Sequence, residues 1–158
     1  MNMLPLQFDA VLSAPFGAVG FFAHGDQVSI ELLTEKYAQK SAENKTVQTI
    51  VSQVAAYFSN AEHDFKLPMK QHGTPFQQRV WQEIRSIPCG QVLTYSELAA
   101  QIGSGPRAVA NACGANNLPL IVPCHRVVAQ NGIGGFMQGN PVGLKVKKWL
   151  LKHEGLNF

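Results

Sequence analysis

Hydrophobic and polar positions change period along the chain, and the changes mark its elements. Between Gln7 and Leu32 the apolar residues come in short, partly alternating runs: Gln7-Phe8-Asp9-Ala10-Val11-Leu12, Ala18-Val19-Gly20-Phe21-Phe22 and Val28-Ser29-Ile30-Glu31-Leu32. Turn residues separate them at Ala14-Pro15-Phe16-Gly17 and His24-Gly25-Asp26. Alternation at a period of two predicts half-buried strands, so this segment reads as an antiparallel meander with His24 in a turn. Val47, Ile50, Val51, Val54 and Phe58 then recur at helical spacing and predict a helix over 45–58. Strands plus one helix make a small α/β unit. It carries neither a Gly-rich phosphate loop nor paired carboxylates, and reads as structural. Residues 59–73 are polar and interrupted by Leu67-Pro68, which predicts a connector, with His63 and His72 as surface residues.

The second half is helical in pattern. Thr74-Pro75-Phe76-Gln77 places a cap, a first-turn proline and a capping-box glutamine in order, and Phe76, Val80, Trp81 and Ile84 give the following helix its apolar face. Trp81 reads as core. The helix ends at Ile87-Pro88-Cys89-Gly90, where Cys89 reads as a small buried filler. Thr94 and Glu97 form a second capping box. Gly103 and Gly105 stop that short helix, and Pro106 starts the next, from about Arg107 to Cys113. Two short helices around a glycine turn suit a helix-turn-helix, or equally an ordinary αα corner. The second of them, Ala108-Val109-Ala110-Asn111-Ala112-Cys113-Gly114-Ala115, is almost bare of long side chains. A major-groove reader needs long polar side chains, whereas a slim helix fits a groove only ~6 Å wide, or packs tightly on a neighbour. In the final helix Val142, Val146, Trp149, Leu150 and His153 mark one face, and Lys145, Lys147, Lys148 and Lys152 take the others. Gly155 stops it. Glu154 sits in the last turn, where an acid opposes the helix dipole unless it has a partner.

Composition sharpens this picture. The chain has 158 residues, 46% of them hydrophobic, enough for a substantial core and against disorder. No apolar run approaches the ~20 residues of a membrane helix, and Met1-Asn2-Met3-Leu4-Pro5 lacks the charged start of a signal peptide. A cytoplasmic protein with no membrane association is the expectation. Net charge is +3, yet residues 1–65 hold three Lys/Arg against seven Asp/Glu, while residues 66–158 hold ten against three. The basic half suits a polyanion, or simply a solvated basic face. Three cysteines, Cys89, Cys113 and Cys124, leave at least one thiol free, and no Cys or His spacing suits a zinc site. No metal is expected.

The chemistry concentrates at Pro123-Cys124-His125-Arg126-Val127, behind the apolar run Leu118-Pro119-Leu120-Ile121-Val122 and ahead of the glycines of Asn131-Gly132-Ile133-Gly134-Gly135. A thiol is only a few per cent thiolate at neutral pH and needs a base. His125 is adjacent in sequence, but neighbouring side chains of an extended segment point to opposite sides, so direct contact is not assured and a bridging water could connect them. A carboxylate such as Glu154 would then fix the imidazole tautomer. A Cys-His pair by itself is more often structural than catalytic.

Taken in order, Thr74-Pro75-Phe76-Gln77 with Val80-Trp81, Ile87-Pro88 with Gly90, Val92 and Thr94-Tyr95, Leu98-Ala99, Arg107-Ala108-Val109, Asn116, Pro123-Cys124-His125-Arg126-Val127, and Leu150-Leu151 with Glu154-Gly155 resemble the O6-alkylguanine-DNA alkyltransferases. The resemblance is strong over about 67–158 and weak before it. It implies a ribonuclease-H-like α/β domain at 1–68 and a mainly α, winged-helix-like domain with a helix-turn-helix at 69–158. It implies single-turnover repair: double-stranded DNA bound through the minor groove, an O6-alkylguanine flipped out, and the alkyl group passed to a cysteine without a cofactor. O4-alkylthymine is a further implied substrate, and a monomer the implied state.

By matching position, Cys124 would be the acceptor, His125 the base acting through water, and Glu154 its orienting carboxylate. Tyr95 would donate to the guanine ring, Asn116 would be the hinge residue, and Arg107 would fill the gap left by the flipped base, with Ala108 and Asn111 beside it on the DNA. The backbone of Val127, with Phe136 and Gln138, would line the substrate pocket. The family's tyrosine in the glycine-rich loop is here matched by Phe136, one residue early, in a longer loop over Met137-Gln138-Gly139-Asn140-Pro141-Val142-Gly143. The turn Gly103-Ser104-Gly105-Pro106 is shorter than usual, and Asn117 stands where proline is common. Competing readings are a damage binder like the alkyltransferase-like proteins, which have tryptophan in place of the cysteine, a helix-turn-helix regulator, and a cysteine hydrolase.

Overall fold

The alternating segment folds into three antiparallel strands in the order β1-β2-β3: β1 (Ala10–Ala14), β2 (Gly17–His24) and β3 (Gln27–Leu33). These coordinates come from a computed structural model that describes residues 7–67, 71–135 and 141–158, and of Pro141 and Val142 only the backbone. Two-residue loops join the strands, so the registers Ala14↔Gly17 and His24↔Gln27 follow from the turns. Asn44 caps α1 (Lys45–Ser59), its Oδ1 accepting from the Val47 N–H at 3.1 Å. The helix packs on β1 and β2 and buries Val47, Ile50, Val54 and Tyr57. Its inner stripe is turned towards Ile50 and Tyr57, and Phe58 is only half-buried.

The chain divides into two units between Gln71 and His72. The second unit is helical: α2 (Pro75–Arg85), α3 (Tyr95–Ile102), α4 (Pro106–Gly114) and α5 (Pro141–His153), with the short strands β4 (Leu93–Thr94) and β5 (Val127–Val128). Both capping boxes form. Thr74 and Thr94 accept from the N–H groups of Gln77 and Glu97 at 3.1 and 3.0 Å, and the Gln77 and Glu97 side chains accept from the Thr N–H groups, each at 2.9 Å. Gly103 caps α3 at φ 72°, the left-handed conformation that glycine adopts without strain. α2, α3 and α4 pack on one another. Trp81 is core, and its indole N–H reaches the Ala112 carbonyl of α4 at 2.9 Å, so the largest side chain of α2 also satisfies a helix-end acceptor.

The parallel pairing of β4 with β5 matches Leu93 to Val127 and Thr94 to Val128. It brings the start of α3, and so Tyr95, beside the cysteine motif. The loop feeding that motif holds Leu120 at φ 77° with its side chain buried, a strained backbone kept in place by packing.

Two expectations are corrected here. Cys89 is only half-buried, because it lies in the turn after α2 and not under it. Lys147, expected on an outward face of the last helix, is fully buried. The buried stripe of α5 is Gly143, Val146, Lys147, Leu150 and Leu151, and Lys147 falls within it at helical spacing. Trp149 and His153, expected on the inner face, are half-buried and stack on each other with centroids 4.7 Å apart. The side chain of Val142 lies outside the described residues.

Burial pushes the Lys147 pKa down to about 8, against the pull of Cys113 and Cys124. Below that value the lysine is charged whether the chain is folded or not, and folding bears the full cost of burying the charge. Above it the folded state sheds a proton that the unfolded state keeps, so stability rises with pH up to the ordinary 10.5. Urea titrations at both ends of this window should show the wild type gaining up to about 3 kcal/mol on the Lys147→Met variant. Parallel pH curves for the two proteins would exclude it.

Candidate active site around Cys124

The site rests on a single turn of 3-10 helix, Cys124–Arg126, that follows Pro123. The Cys124 N–H donates to Val122 O at 2.8 Å and the Arg126 N–H to Pro123 O at 2.9 Å, so the backbone carrying the thiol is pinned on both sides. The motif is therefore helical rather than extended, and successive side chains fan about 120° apart. Cys124 and His125 still point to different partners.

Cys124 is buried, at 6% exposure. Asn116 holds its sulfur. The Asn116 side chain accepts the Leu118 N–H through Oδ1 at 2.9 Å, which turns Nδ2 towards Val122 O at 2.9 Å and Cys124 Sγ at 3.2 Å. The thiol itself faces the end of α4, with Sγ 3.8 Å from Cys113 O. A hydrogen bond between the Cys113 and Cys124 side chains, together with burial, lifts Cys124 well above the ordinary thiol value, while Asn116 and the Lys147 charge pull the other way. At neutral pH the resting group is a thiol.

His125 is fully buried. Its Nε2 lies 2.6 Å from Glu154 Oε2. Glu154 also accepts from Arg126, at 2.8 Å from Nε to Oε1 and 3.2 Å from Nη2 to Oε2, while Arg126 Nη1 donates to Ile87 O at 2.6 Å. A carboxylate facing a guanidinium only accepts, so Nε2 must carry the imidazole proton and Nδ1 is left as the bare acceptor. Nδ1 is buried and has no hydrogen-bond partner among the described residues. Burial lowers the His125 pKa against the pull of Glu154, so the ring rests neutral. A neutral imidazole with a fixed tautomer and an open lone pair is a base awaiting a proton. Glu154, which opposed the dipole of α5, thus has two partners.

Tyr95 and Lys147 close the other side. The Tyr95 hydroxyl donates to Gly135 O at 3.3 Å, and Lys147 Nζ donates to Gly135 O at 2.9 Å and Val127 O at 2.7 Å, 6.0 Å from the centre of the Tyr95 ring. Burial, reinforced by Cys113 and Cys124, raises Tyr95 to about 12, so its phenol keeps its proton and can donate. Gly134 sits at φ +75°, and a Cβ there would come within 2.9 Å of Ala129 N and 3.2 Å of the Tyr95 ring. The loop passes the tyrosine only because that residue is glycine. Val127 is buried. Its N–H is bonded to Cys124 O and its carbonyl accepts from Lys147 Nζ at 2.7 Å.

Of the residues singled out from sequence, Cys124, His125, Glu154, Tyr95, Asn116 and Val127 converge here. Arg107, Ala108 and Asn111 lie on α4, Arg107 and Asn111 exposed and Ala108 half-buried, while Val109 and Ala112 face the core. The slim helix thus has both a packed side and a bare exposed one. Phe136 and Gln138 lie outside the described residues. Sequence reasoning missed Arg126, Lys147 and Cys113. The spacing of Val146, Lys147, Leu150, Leu151 and Glu154 was a signal for Lys147; Cys113 carried none.

Comparison with known proteins follows the same residues. The family described as 6-O-methylguanine DNA methyltransferase, DNA binding domain, matches residues 75–156. A methylated-DNA–protein-cysteine methyltransferase of Methanothermobacter thermautotrophicus is 36% identical over 152 residues, covering 93% of this chain and 85% of that protein. The Salmonella typhimurium protein of the same name is 53% identical over 85 residues, covering 52% of this chain and 48% of its own length, so the chain spans about half of it. A crystal structure of Mycobacterium tuberculosis OGT in complex with DNA superposes with a TM-score of 0.74 at 33% identity, covering 92% of this chain and 91% of that one. No helix of the described residues is long and apolar enough to cross a membrane. With its cysteine, its buried base and its DNA-binding-domain match in one unit, the chain belongs to the 6-O-methylguanine DNA methyltransferase family.

Proposed function

We propose that this protein repairs DNA by transferring the alkyl group of O6-alkylguanine, with O4-alkylthymine as a further substrate, to Cys124 in a single turnover. It would act as a monomer in the cytoplasm, without a cofactor. The first unit is read as ribonuclease-H-like and the second as winged-helix-like, with α3 and α4 as the helix-turn-helix. The observation that carries the reading is the relay in which Glu154 and Arg126 hold His125 with an open Nδ1 one residue from a buried thiol.

The exposed face of α4 enters the minor groove, where bare alanines let the helix approach. Arg107 occupies the gap as the base flips, offsetting the few kcal/mol of unstacking. Asn116, tied to the sulfur and to the loop after α4, acts as the hinge between recognition helix and site. The flipped base meets the Val127 carbonyl; Phe136 and Gln138, the other residues proposed for substrate, lie outside the described residues. A water carries the Cys124 proton to His125 Nδ1. The sulfur attacks the alkyl carbon, the carbon–oxygen bond breaks, and its electron pair stays with the guanine. Tyr95, still protonated at neutral pH, donates a hydrogen bond to the ring as that charge forms, and the proton taken up by His125 passes back through water to the guanine. The products are guanine and S-alkylcysteine, and the thioether cannot be turned over.

Incubation with a duplex carrying O6-methylguanine should add one CH2 to the peptide that holds Cys124, with one equivalent repaired per protein. Cys124→Ser should bind the same duplex and gain no mass. Tight binding by the wild type with no adduct would leave only a damage binder. The Glu154→Gln variant should slow single-turnover transfer by at least about 100-fold with DNA affinity retained, since the imidazole loses the group that sets its tautomer; an unchanged rate would remove Glu154 from the relay. Arg107→Ala should slow repair in duplex DNA more than reaction with O6-benzylguanine as free base. Equal losses on the two substrates would deny it the gap-filling role.

A further inference from the structure

We propose that Cys113 and Cys124 form a peroxide-modification site, in which a peroxide oxidises Cys113 to a sulfenic acid and Cys124 closes it to a disulfide. Alkyl transfer requires only Cys124, yet the structure places a second free thiol against it. The Cys124 sulfur lies 3.8 Å from the Cys113 carbonyl, which brings the thiol up against the residue that carries the second one. Asn116 Nδ2, at 3.2 Å, holds Cys124 Sγ in that orientation.

The two thiols are not equivalent. Cys124 is buried, whereas Cys113 is partly exposed. Cys113 also occupies the last turn of α4, one residue before its end at Gly114, where a helix frays most easily. The hydrogen bond from Cys124, and after it the Lys147 charge, hold Cys113 below the ordinary thiol range despite its burial. Accessible, electropositive and acidic surroundings are those in which a cysteine meets peroxide first.

The reaction balances without a further component. The Cys113 thiolate attacks one oxygen of the peroxide, the O–O bond breaks, and hydroxide leaves as the sulfenic acid forms. The Cys124 sulfur then attacks the Cys113 sulfur. The S–O bond breaks, the Cys124 proton goes with the hydroxyl, and water departs. Two thiols lose two electrons and one hydrogen peroxide becomes two waters. Closure brings the two sulfurs to about 2.05 Å, and Cys113 sits in the last turn of α4, the part of the helix that yields most readily. A protein that uses its nucleophile once loses it for good if that sulfur is oxidised to a sulfinic or sulfonic acid. A disulfide with Cys113 is reversible by thiol exchange, so it shelters the nucleophile until reductant returns.

Both cysteines fall on one tryptic peptide, Ala108–Arg126, because no Lys or Arg lies between Arg107 and Arg126, while Cys89 falls on the preceding one. The full chain is treated with hydrogen peroxide in the absence of DNA, blocked with iodoacetamide, digested and weighed. The expected result is an Ala108–Arg126 peptide lighter by two hydrogens that takes up two alkyl groups only after dithiothreitol. It should appear roughly tenfold faster than any oxidation of Cys89. In Cys124→Ser, dimedone should trap a sulfenic acid on Cys113. In Cys113→Ser, the two-hydrogen loss should vanish and Cys124 should advance to forms that dithiothreitol cannot restore. Oxygen gained on Cys124 while Cys113 still takes iodoacetamide would overturn the proposal. So would a disulfide between two copies, or a peptide left reduced while Cys89 oxidises. These readouts use no damaged base, so they stand or fall separately from alkyl transfer.

Discussion

The site depends on one buried carboxylate. Glu154 lies just past α5 with a fully buried side chain, and it accepts from His125 and twice from Arg126. A buried carboxylate without partners would cost several kcal/mol, so these contacts are the condition for its being there at all. They also set everything upstream. Arg126 reaches on to Ile87 O, at the end of α2, and so ties three segments to one side chain. His125 receives its tautomer from the same oxygen that fixes its ring. Removing the carboxylate would leave a guanidinium and an imidazole facing each other in the core.

α5 is consequently more than a closing helix. Its buried stripe presents Lys147 to the cysteine motif, and the residue just past its end presents Glu154. Lys147 satisfies the Val127 and Gly135 carbonyls, Glu154 the His125 and Arg126 donors. A helix that delivers a cation to one side of a turn and an anion to the other fixes that turn without a disulfide or a metal. The parallel pair of β4 and β5 does the complementary work for Tyr95. Four segments far apart in sequence therefore meet around the three consecutive residues Cys124–Arg126.

How far the sequence was readable follows from this. The capping boxes at Thr74 and Thr94 were legible because their physics is local: a side chain and an N–H three residues apart. The first three strands and α1 were legible by periodicity, although the inner stripe of α1 turned out to favour Tyr57 over Phe58. Glu154 could be flagged because an acid at a helix end is locally unfavourable, and its partners could be guessed. Lys147 was misplaced because its type outweighed its position. A lysine is assigned to solvent by default, yet its spacing put it in the apolar stripe, and only the carbonyls of Val127 and Gly135 make that burial tolerable. The contact between Cys113 and Cys124 was invisible, because it depends on where the loop of residues 115–123 returns the chain.

The resting state of the thiol follows from the same geometry. Burial and Cys113 keep Cys124 protonated, while Asn116 and Lys147 favour the thiolate without overcoming them. For a protein that spends its nucleophile once, this balance has a consequence. A permanently ionised thiol would react with any electrophile that reached it, whereas a protonated one reacts only when a base removes the proton. In the proposed relay that base is His125, neutral, with its lone pair open and its other nitrogen held by Glu154. Ionisation of the sulfur therefore leaves an imidazolium between a carboxylate and a new thiolate, a charge arrangement favoured by both neighbours. On that reading selectivity lies less in the thiol than in the proton's path: the sulfur would become a nucleophile when an alkyl carbon arrives to take the charge it would otherwise return to His125.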